Sequence, residues 1–253
     1  MNDLDRPIYL DYNATTPVLP EVIEAMLPFL GERFGNPSSG HPYGREARAA
    51  VERARAEVAA LIDCGPDEIV FTSGGTESNN LAILGSLTTG NHGTIVITSV
   101  IEHPAVSCPC EMLERRGSKV VRLSVDRFGR VGLQAAQKAL RDLSAISLLT
   151  VMHANNETGA LQPIQELAAL AKTRGAIVHT DAAQSVGKVP VAVDDLGIDL
   201  LSIAGHKLYA PKGVGALFVH KGTPVQPLMC GAAHEHGLRP GTENVASIVG
   251  LGA

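Results

Sequence analysis

Residues 69–78, IVFTSGGTES, carry an apolar, strand-favouring run (Ile69–Thr72) into a Ser-Gly-Gly turn, and an apolar helical pattern follows through Leu81, Leu84 and Leu87. A strand that turns on glycines and restarts as a helix is half of a β-α-β unit, the building block of a parallel sheet. The glycines allow a tight turn. The first turn of the helix offers unpaired N–H groups and the positive end of a dipole, which suits a phosphate. Alone, the segment also reads as a plain strand-to-helix turn. It matches neither GxxxxGK[ST] nor GxGxxG, the signatures of a P-loop and of a dinucleotide site.

The same alternation extends outward. β-branched runs recur at Thr94–Ser99, Val120–Leu123, Ile146–Met152, Ala176–Thr180, Leu200–Ala204 and Val214–Val219. Helical segments separate most of them, such as Pro163–Arg174 with its proline placed to start it. Helical spacing is clearest over residues 44–62, where Ala47, Val51, Ala54, Val58, Leu61 and Ile62 share one face. Strand and helix in turn predict an α/β fold: a mainly parallel sheet with right-handed crossovers and helices on both faces. Ligands of such sheets bind beyond the carboxyl ends of the strands. Near the C-terminus, Thr242-Glu243-Asn244 reads as a helix start, followed by an apolar helix without a polar stop. Such a helix needs a partner for its buried face, so residues 1–253 are expected to be one large domain cut short before a small C-terminal domain is complete.

The 253 residues carry a net charge of −5, which gives no basic footprint for nucleic acid or for an anionic membrane. Acidic residues near the N-terminus do not resemble a signal peptide, and the longest apolar run, around Ala145–Met152, is far too short to span a bilayer. A cytoplasmic protein acting on a small molecule is expected. Cys64, Cys108, Cys110 and Cys230 form no CxxC pair or zinc-ribbon spacing and are expected to be free thiols.

The informative residues are those just after the strands. His103 follows the second run, Asn155 and Asn156 the fourth, Asp181 the fifth, and His206-Lys207 the sixth. Singly, each has an ordinary reading: a structural hydrogen bond for His103, a turn for the asparagines, a cap or ion pair for Asp181, a solvated surface amine for Lys207. Jointly they meet the demands of pyridoxal 5′-phosphate. Its phosphate needs a helix N-terminus, its ring nitrogen a carboxylate and its aldehyde a lysine.

With these residues in order, the chain resembles the class V aminotransferase-like, fold-type I pyridoxal phosphate enzymes, and within them the cysteine desulfurase and selenocysteine lyase group. The matching segments are YLDYNATTP from Tyr9, FGNPSS from Phe34, FTSGGTESNN from Phe71, EH at Glu102-His103, ANNETG from Ala154, HTDAAQ from His179, GHKLYAPKGVGAL from Gly205 and RPGTEN from Arg239. The resemblance implies that Lys207 bonds to the cofactor's aldehyde and later moves protons, with His103 stacked on the ring and assisting. It implies Asp181 on the ring nitrogen, Gln184 on the 3-hydroxyl, Gly75, Thr76 and His206 on the phosphate, and Asn156 near cofactor and substrate carboxylate. Thr242 would reach the phosphate of a neighbouring subunit, hence a homodimer with shared sites. The implied reaction converts L-cysteine to L-alanine and passes sulfur through a persulfide toward iron–sulfur clusters or thio-cofactors, with a possible sulfur-acceptor protein.

Three departures accompany the resemblance. Ala204 stands where a phosphate-binding serine is frequent. Ala232 and Ala233 stand where glycines are usual, so positive φ would be costly there, and His236 replaces a frequent arginine. By the resemblance, the chain is expected to end before the small domain in which the family carries its substrate-binding arginine and nucleophilic cysteine. None of the four cysteines matches the surroundings of that nucleophile, so none is expected to take the role, and Cys230 is expected to be a structural thiol. Two rivals remain at this point: a selenocysteine lyase, and an inert pyridoxal phosphate-binding or scaffold fragment. A metal held by Cys230, His234 and His236 is the least favoured idea, and no metal site is expected.

Overall fold

The protein is described by a computed structural model over residues 7–87, 93–141, 143 and 146–253. Its seven strands are β1 (Ile69–Thr72), β2 (Ile95–Ser99), β3 (Lys119–Leu123), β4 (Leu148–Thr150), β5 (Ile177–Asp181), β6 (Leu200–Ala204) and β7 (Gly215–Val219). They form one sheet in the order β1-β7-β6-β5-β4-β2-β3. β7 runs antiparallel to both β6 and β1, and every other pairing is parallel, so six strands point one way. The expected mainly parallel sheet is present.

Neighbouring residues of each strand enter different cores, as the two-residue period of a strand requires. Ile69 and Phe71, Ile97, Leu149, Leu201 and Phe218 pack on one side. Val70, Val96, Leu148, Leu200 and Leu217 pack on the other. The first side is covered by α2 (Pro42–Leu61), α5 (Leu133–Arg141), α6 (Ile164–Lys172) and the short α7 (Val193–Leu196). The second is covered by α3 (Gly75–Gly85) and α4 (Pro104–Arg115). A sheet dry on both faces explains why its strands read as continuous apolar runs.

Of the run 146–152 only Leu148–Thr150 is strand, although Ser147 N still donates to Ile95 O at 2.9 Å and Val151 N to His179 O at 3.3 Å. Val151 and Met152 stay buried because side chains complete their hydrogen bonds: Thr180 Oγ1 donates to Val151 O at 2.8 Å, and Met152 N donates to the Glu102 carboxylate at 3.0 and 3.1 Å. Pro163 caps α6 rather than lying inside it. α8 (Val245–Gly252) is capped by Asn244 Oδ1, which accepts from Ser247 N at 3.3 Å. Its buried face lies on α2 and on α1 (Pro20–Leu30): a Cβ on Gly252 would come within 2.6 Å of Ala54 Cα, and one on Gly250 within 2.6 Å of Met26 Sδ. The partner that this apolar helix requires is therefore found within the chain.

A buried ion pair ties α2 to a distant loop. The Arg55 guanidinium grips Glu235 with both ends, at 2.9 and 2.7 Å, and also donates to Ile69 O at 2.7 Å. Phe71 N donates to the same carboxylate at 2.6 Å. The two side chains are 5% and 2% exposed. Glu235 and its neighbour His236 adopt φ of 46° and 58° to reach this arrangement, a conformation that costs a non-glycine residue energy. The sequence reading expected strain at Ala232 and Ala233. Neither has positive φ, and the strain sits at Glu235 and His236 because the buried pair holds it there.

Beneath the strand ends, His179 Nδ1 pairs with Thr150 Oγ1 at 2.8 Å and its Nε2 with Ser202 Oγ at 3.0 Å, bridging β4, β5 and β6. Burial pushes His179 down to about 3, so it is neutral in the fold.

Two outcomes follow. Arg55→Ala strands a buried carboxylate and is expected to lower unfolding free energy by about 3–5 kcal/mol in urea titrations. Below about pH 6.5 the unfolded chain takes up a proton at His179 that the folded one refuses, so stability declines as pH falls from about 6.5 toward 3. His179→Asn, which cannot be charged, is expected to flatten that decline in urea midpoints measured between pH 7 and 4.

Candidate active site

Because six strands share a direction, the segments after β1, β2, β4, β5 and β6 leave the sheet at one edge, where they surround a cavity of about 750 Å³. All the sequence-predicted site residues except Thr242 line it: Gly75, Thr76, His103, Asn156, Asp181, Gln184, His206 and Lys207. Thr242 is exposed and lies just before α8, away from the cavity of its own chain.

Lys207 stands in the loop between β6 and β7 and is half-buried. Its Nζ donates to the carbonyls of Asn13 and Ala14, to the latter at 2.8 Å. Burial lowers its pKa, and the Lys188 charge adds to this against the opposing pull of Asp11 and Asp181. Half-buried and bonded to two carbonyls, Lys207 is not a fully solvated amine. Asp181, 6% exposed, ends β5. Burial pushes its carboxyl up, opposed by hydrogen bonds from Ala183 N at 3.0 Å and Asn79 Nδ2 at 2.7 Å and by His103 and Lys207. Lysine and carboxylate thus face one space in a partly dry setting.

The turn after β1 has the shape its glycines allow. Gly74 sits at φ 146° and ψ −179°, open only to glycine, and a Cβ on Gly75 would lie 3.1 Å from the Cβ of Ala204. Gly75 and Thr76 begin α3, so their N–H groups have no partner within the helix. His103 caps α4: its Nδ1 accepts from Ala105 N at 3.1 Å, which leaves Nε2 for other work. Gln184 Nε2 donates to Asn13 O at 2.9 Å, and its Oε1 accepts from Lys188 at 2.7 Å. His206 Nδ1 pairs with Thr15 Oγ1 at 3.2 Å, and burial together with Lys207 and Lys212 lowers its pKa.

Three contributors escaped the sequence reading. The segment Asp11–Thr15 forms a wall of the cavity, held by Lys207, Gln184 and His206 and by Asn13 Nδ2 donating to Asn156 O at 3.2 Å. Asn79, on α3, holds Asp181. Glu102 anchors the end of β4 and carries a carboxyl that burial pushes up to about 8. No local spacing announces any of these. All three fall within segments that carry the family resemblance, YLDYNATTP, FTSGGTESNN and Glu102-His103, which mark them without assigning a role.

The cavity fits pyridoxal phosphate on its own terms. A buried carboxylate that burial disfavours calls for a cationic partner, and a protonated ring nitrogen is one. Asn79 Oδ1 is buried without a hydrogen-bond partner, so the polar wall beside Asp181 lacks a donor. The Gly74–Thr76 turn offers free N–H groups at a helix start.

A family model, aminotransferase class V, matches residues 8–253. The chain belongs to the class V aminotransferase family. Cysteine desulfurase IscS of Dictyoglomus turgidum is 54% identical over 98% of this chain and 63% of its own length. A cysteine desulfurase of Bradyrhizobium diazoefficiens is 49% identical over 100% of this chain and 64% of its own. The chain therefore spans less than two thirds of these relatives. Among solved structures, SspA in complex with cysteine superposes with a TM-score of 0.93 at 42% identity, covering 97% of this chain and 71% of that one. The family implies a pyridoxal phosphate site, in accord with the residues that line this class V cavity.

None of the four cysteines lines the cavity. Burial pushes Cys64 up to about 12 and Cys110 up to about 11. Cys108 and Cys230 are exposed, which corrects the expectation of a structural thiol at Cys230. His234 is engaged by Ser38 and Glu243, and among the described residues no His, Cys, Asp and Glu cluster could hold a metal. No helix among the described residues is long and apolar enough to cross a membrane. Iodoacetamide at pH 8 is expected to label Cys108 and Cys230 and to spare Cys64 and Cys110, as peptide mass spectrometry will read, because a raised thiol pKa leaves little thiolate.

Proposed function

We propose that this chain is the large, cofactor-binding part of a cytoplasmic pyridoxal 5′-phosphate-dependent cysteine desulfurase. It would turn L-cysteine into L-alanine and pass the sulfur, through a persulfide, to an acceptor for iron–sulfur cluster or thio-cofactor assembly. The observation that carries the reading is the meeting of Lys207, Asp181, His103 and the Gly74–Thr76 turn in one cavity. Relatives named cysteine desulfurase at about half identity, and a superposable structure holding cysteine, support the substrate.

When bound, the cofactor supplies an aldehyde for amines and an electron-drawing ring that weakens bonds at the substrate's α-carbon. The chain's residues prepare both ends. Lys207, lowered by burial and by Lys188, yields its neutral amine more readily than a solvated lysine and can take up a proton at Nζ. Asp181 would hold a cationic ring nitrogen, kept in place by Asn79 and Ala183. His103 would offer Nε2 for proton movement, its other nitrogen being committed to Ala105. Gly75, Thr76 and His206 would receive the phosphate. Gln184 would meet the 3-hydroxyl and Asn156 the substrate's carboxylate side. Thr242, exposed, would serve the cavity of a second copy in a homodimer. The sulfur transfer balances as substrate C–S cleavage with S–S formation on an attacking thiol, which keeps the persulfide while alanine gains a hydrogen. That thiol is not proposed among Cys64, Cys108, Cys110 and Cys230.

After incubation with pyridoxal phosphate and borohydride, peptide mass spectrometry is expected to find the reduced cofactor on Lys207 alone, and Lys207→Ala is expected to lose it. In the full-length protein the same substitution is expected to lower cysteine turnover by about 10²–10⁴-fold. Label elsewhere, or none, overturns the cofactor reading. Turnover of selenocysteine with negligible turnover of cysteine would replace the desulfurase by a selenocysteine lyase.

A further inference from the structure

The turn that would take the phosphate carries a carboxylate of its own. Glu77 is the third residue of α3 and lines the cavity with Gly75 and Thr76. Its Oε2 accepts from Ser73 N at 2.7 Å, which closes the turn. Its Oε1 accepts from Arg239 Nε at 3.0 Å, across 162 residues of chain. The two side chains are 17% and 25% exposed, so the pair is largely withdrawn from solvent. Burial pushes Glu77 up, but the hydrogen bonds from Ser73 and Arg239 outweigh it and hold the carboxyl below its ordinary range. Glu77 is thus an anion at neutral pH beside a place meant for another anion. Like charges so near would repel in a partly dry site. Arg239 does not line the cavity, so it acts through Glu77 and not on a ligand.

Resting on the cofactor reading above, we propose that Arg239 is a positioning residue for phosphate recognition. It cancels the charge of Glu77 and keeps that carboxylate on Ser73 N–H, so that the N–H groups of Gly75 and Thr76 face an anion without a competing negative charge. The pair also fixes the loop that carries Thr242, three residues beyond Arg239. The ligand feature read by this device is the phosphate alone, not the ring or the aldehyde.

The test is therefore a comparison of ligands that differ by the phosphate. The chain is titrated by absorbance with pyridoxal 5′-phosphate and with pyridoxal, and inorganic phosphate is used as a competitor of the first. Arg239→Gln is expected to weaken pyridoxal 5′-phosphate and inorganic phosphate by about tenfold each while pyridoxal stays within about twofold. Glu77→Gln keeps an acceptor for Ser73 N–H without the charge, and is expected to bind pyridoxal 5′-phosphate at least as tightly as the parent. The double variant Glu77→Gln, Arg239→Gln is expected to regain parental affinity. A merely structural pair predicts otherwise: Arg239→Gln weakening both aldehydes alike, or neither, or a double variant as weak as Arg239→Gln, overturns the proposal. A parent chain that takes up neither aldehyde at Lys207 overturns the cofactor reading itself, and this inference with it.

Discussion

Six strands of the sheet run one way, and each of those followed by a crossover must release its chain at the same edge before a helix carries it back. That constraint, more than any single contact, gathers residues as far apart as Thr76 and Lys207 around one cavity. β7 adds to it by running the other way. It begins where the others end, so Gly213 and Val214 return to the same edge, and Gly205 N donates to Val214 O at 3.0 Å. The loop bearing Lys207 is thus pinned at both of its ends. A lysine in a freely moving loop would have no fixed orientation toward the cavity, whereas this one is held.

Two ion pairs govern the loop after β7, and they differ in kind. Arg55 and Glu235 are dry, hydrogen-bonded on several sides and tied to the backbone of β1, so breaking the pair strands a charge. Arg239 and Glu77 lie nearer the cavity and reach the turn that β1 leads into. One loop is therefore fastened to the root of β1 and to the turn at its tip. The strained φ values of Glu235 and His236 are held by the first of these contacts, which fits the rule that such strain persists where surrounding structure over-determines it.

The fold was largely legible in the amino-acid pattern. Strands Ile69–Thr72 and Leu200–Ala204 are as read, because both faces of each are buried and the apolar run ends where the strand ends. The run 146–152 misled by length: burial outlasts the strand there, and Thr180 and Glu102 satisfy Val151 O and Met152 N, which the sheet leaves over. The residues at strand ends were legible for the same topological reason that brings them together. Asn79 with Asp181, Arg55 with Glu235 and Arg239 with Glu77 were not, since partners 102, 180 and 162 residues apart leave no local spacing to read. The alanines at 232 and 233 misled because the costly backbone conformation falls two residues further on.

The wall formed by Asp11–Thr15 shows how the site can exchange partners without coming apart. The carbonyls of Asn13 and Ala14 favour the charged form of Lys207, whereas burial and Lys188 pull its pKa below the ordinary lysine value. An amine that turns from these carbonyls to bond elsewhere removes one tether of the segment. Gln184 still donates to Asn13 O, Asn13 still donates to Asn156 O, Thr15 still meets His206, and Thr16 N still donates to His206 O at 2.9 Å. Because these remaining bonds come from the ends of β4, β5 and β6, they tie the wall to the sheet independently of Lys207. Lys188 links the two events, since it holds Gln184 through Oε1 and also depresses the lysine. Lys188 therefore acts on both the amine, whose pKa it lowers together with burial, and the wall, through Gln184.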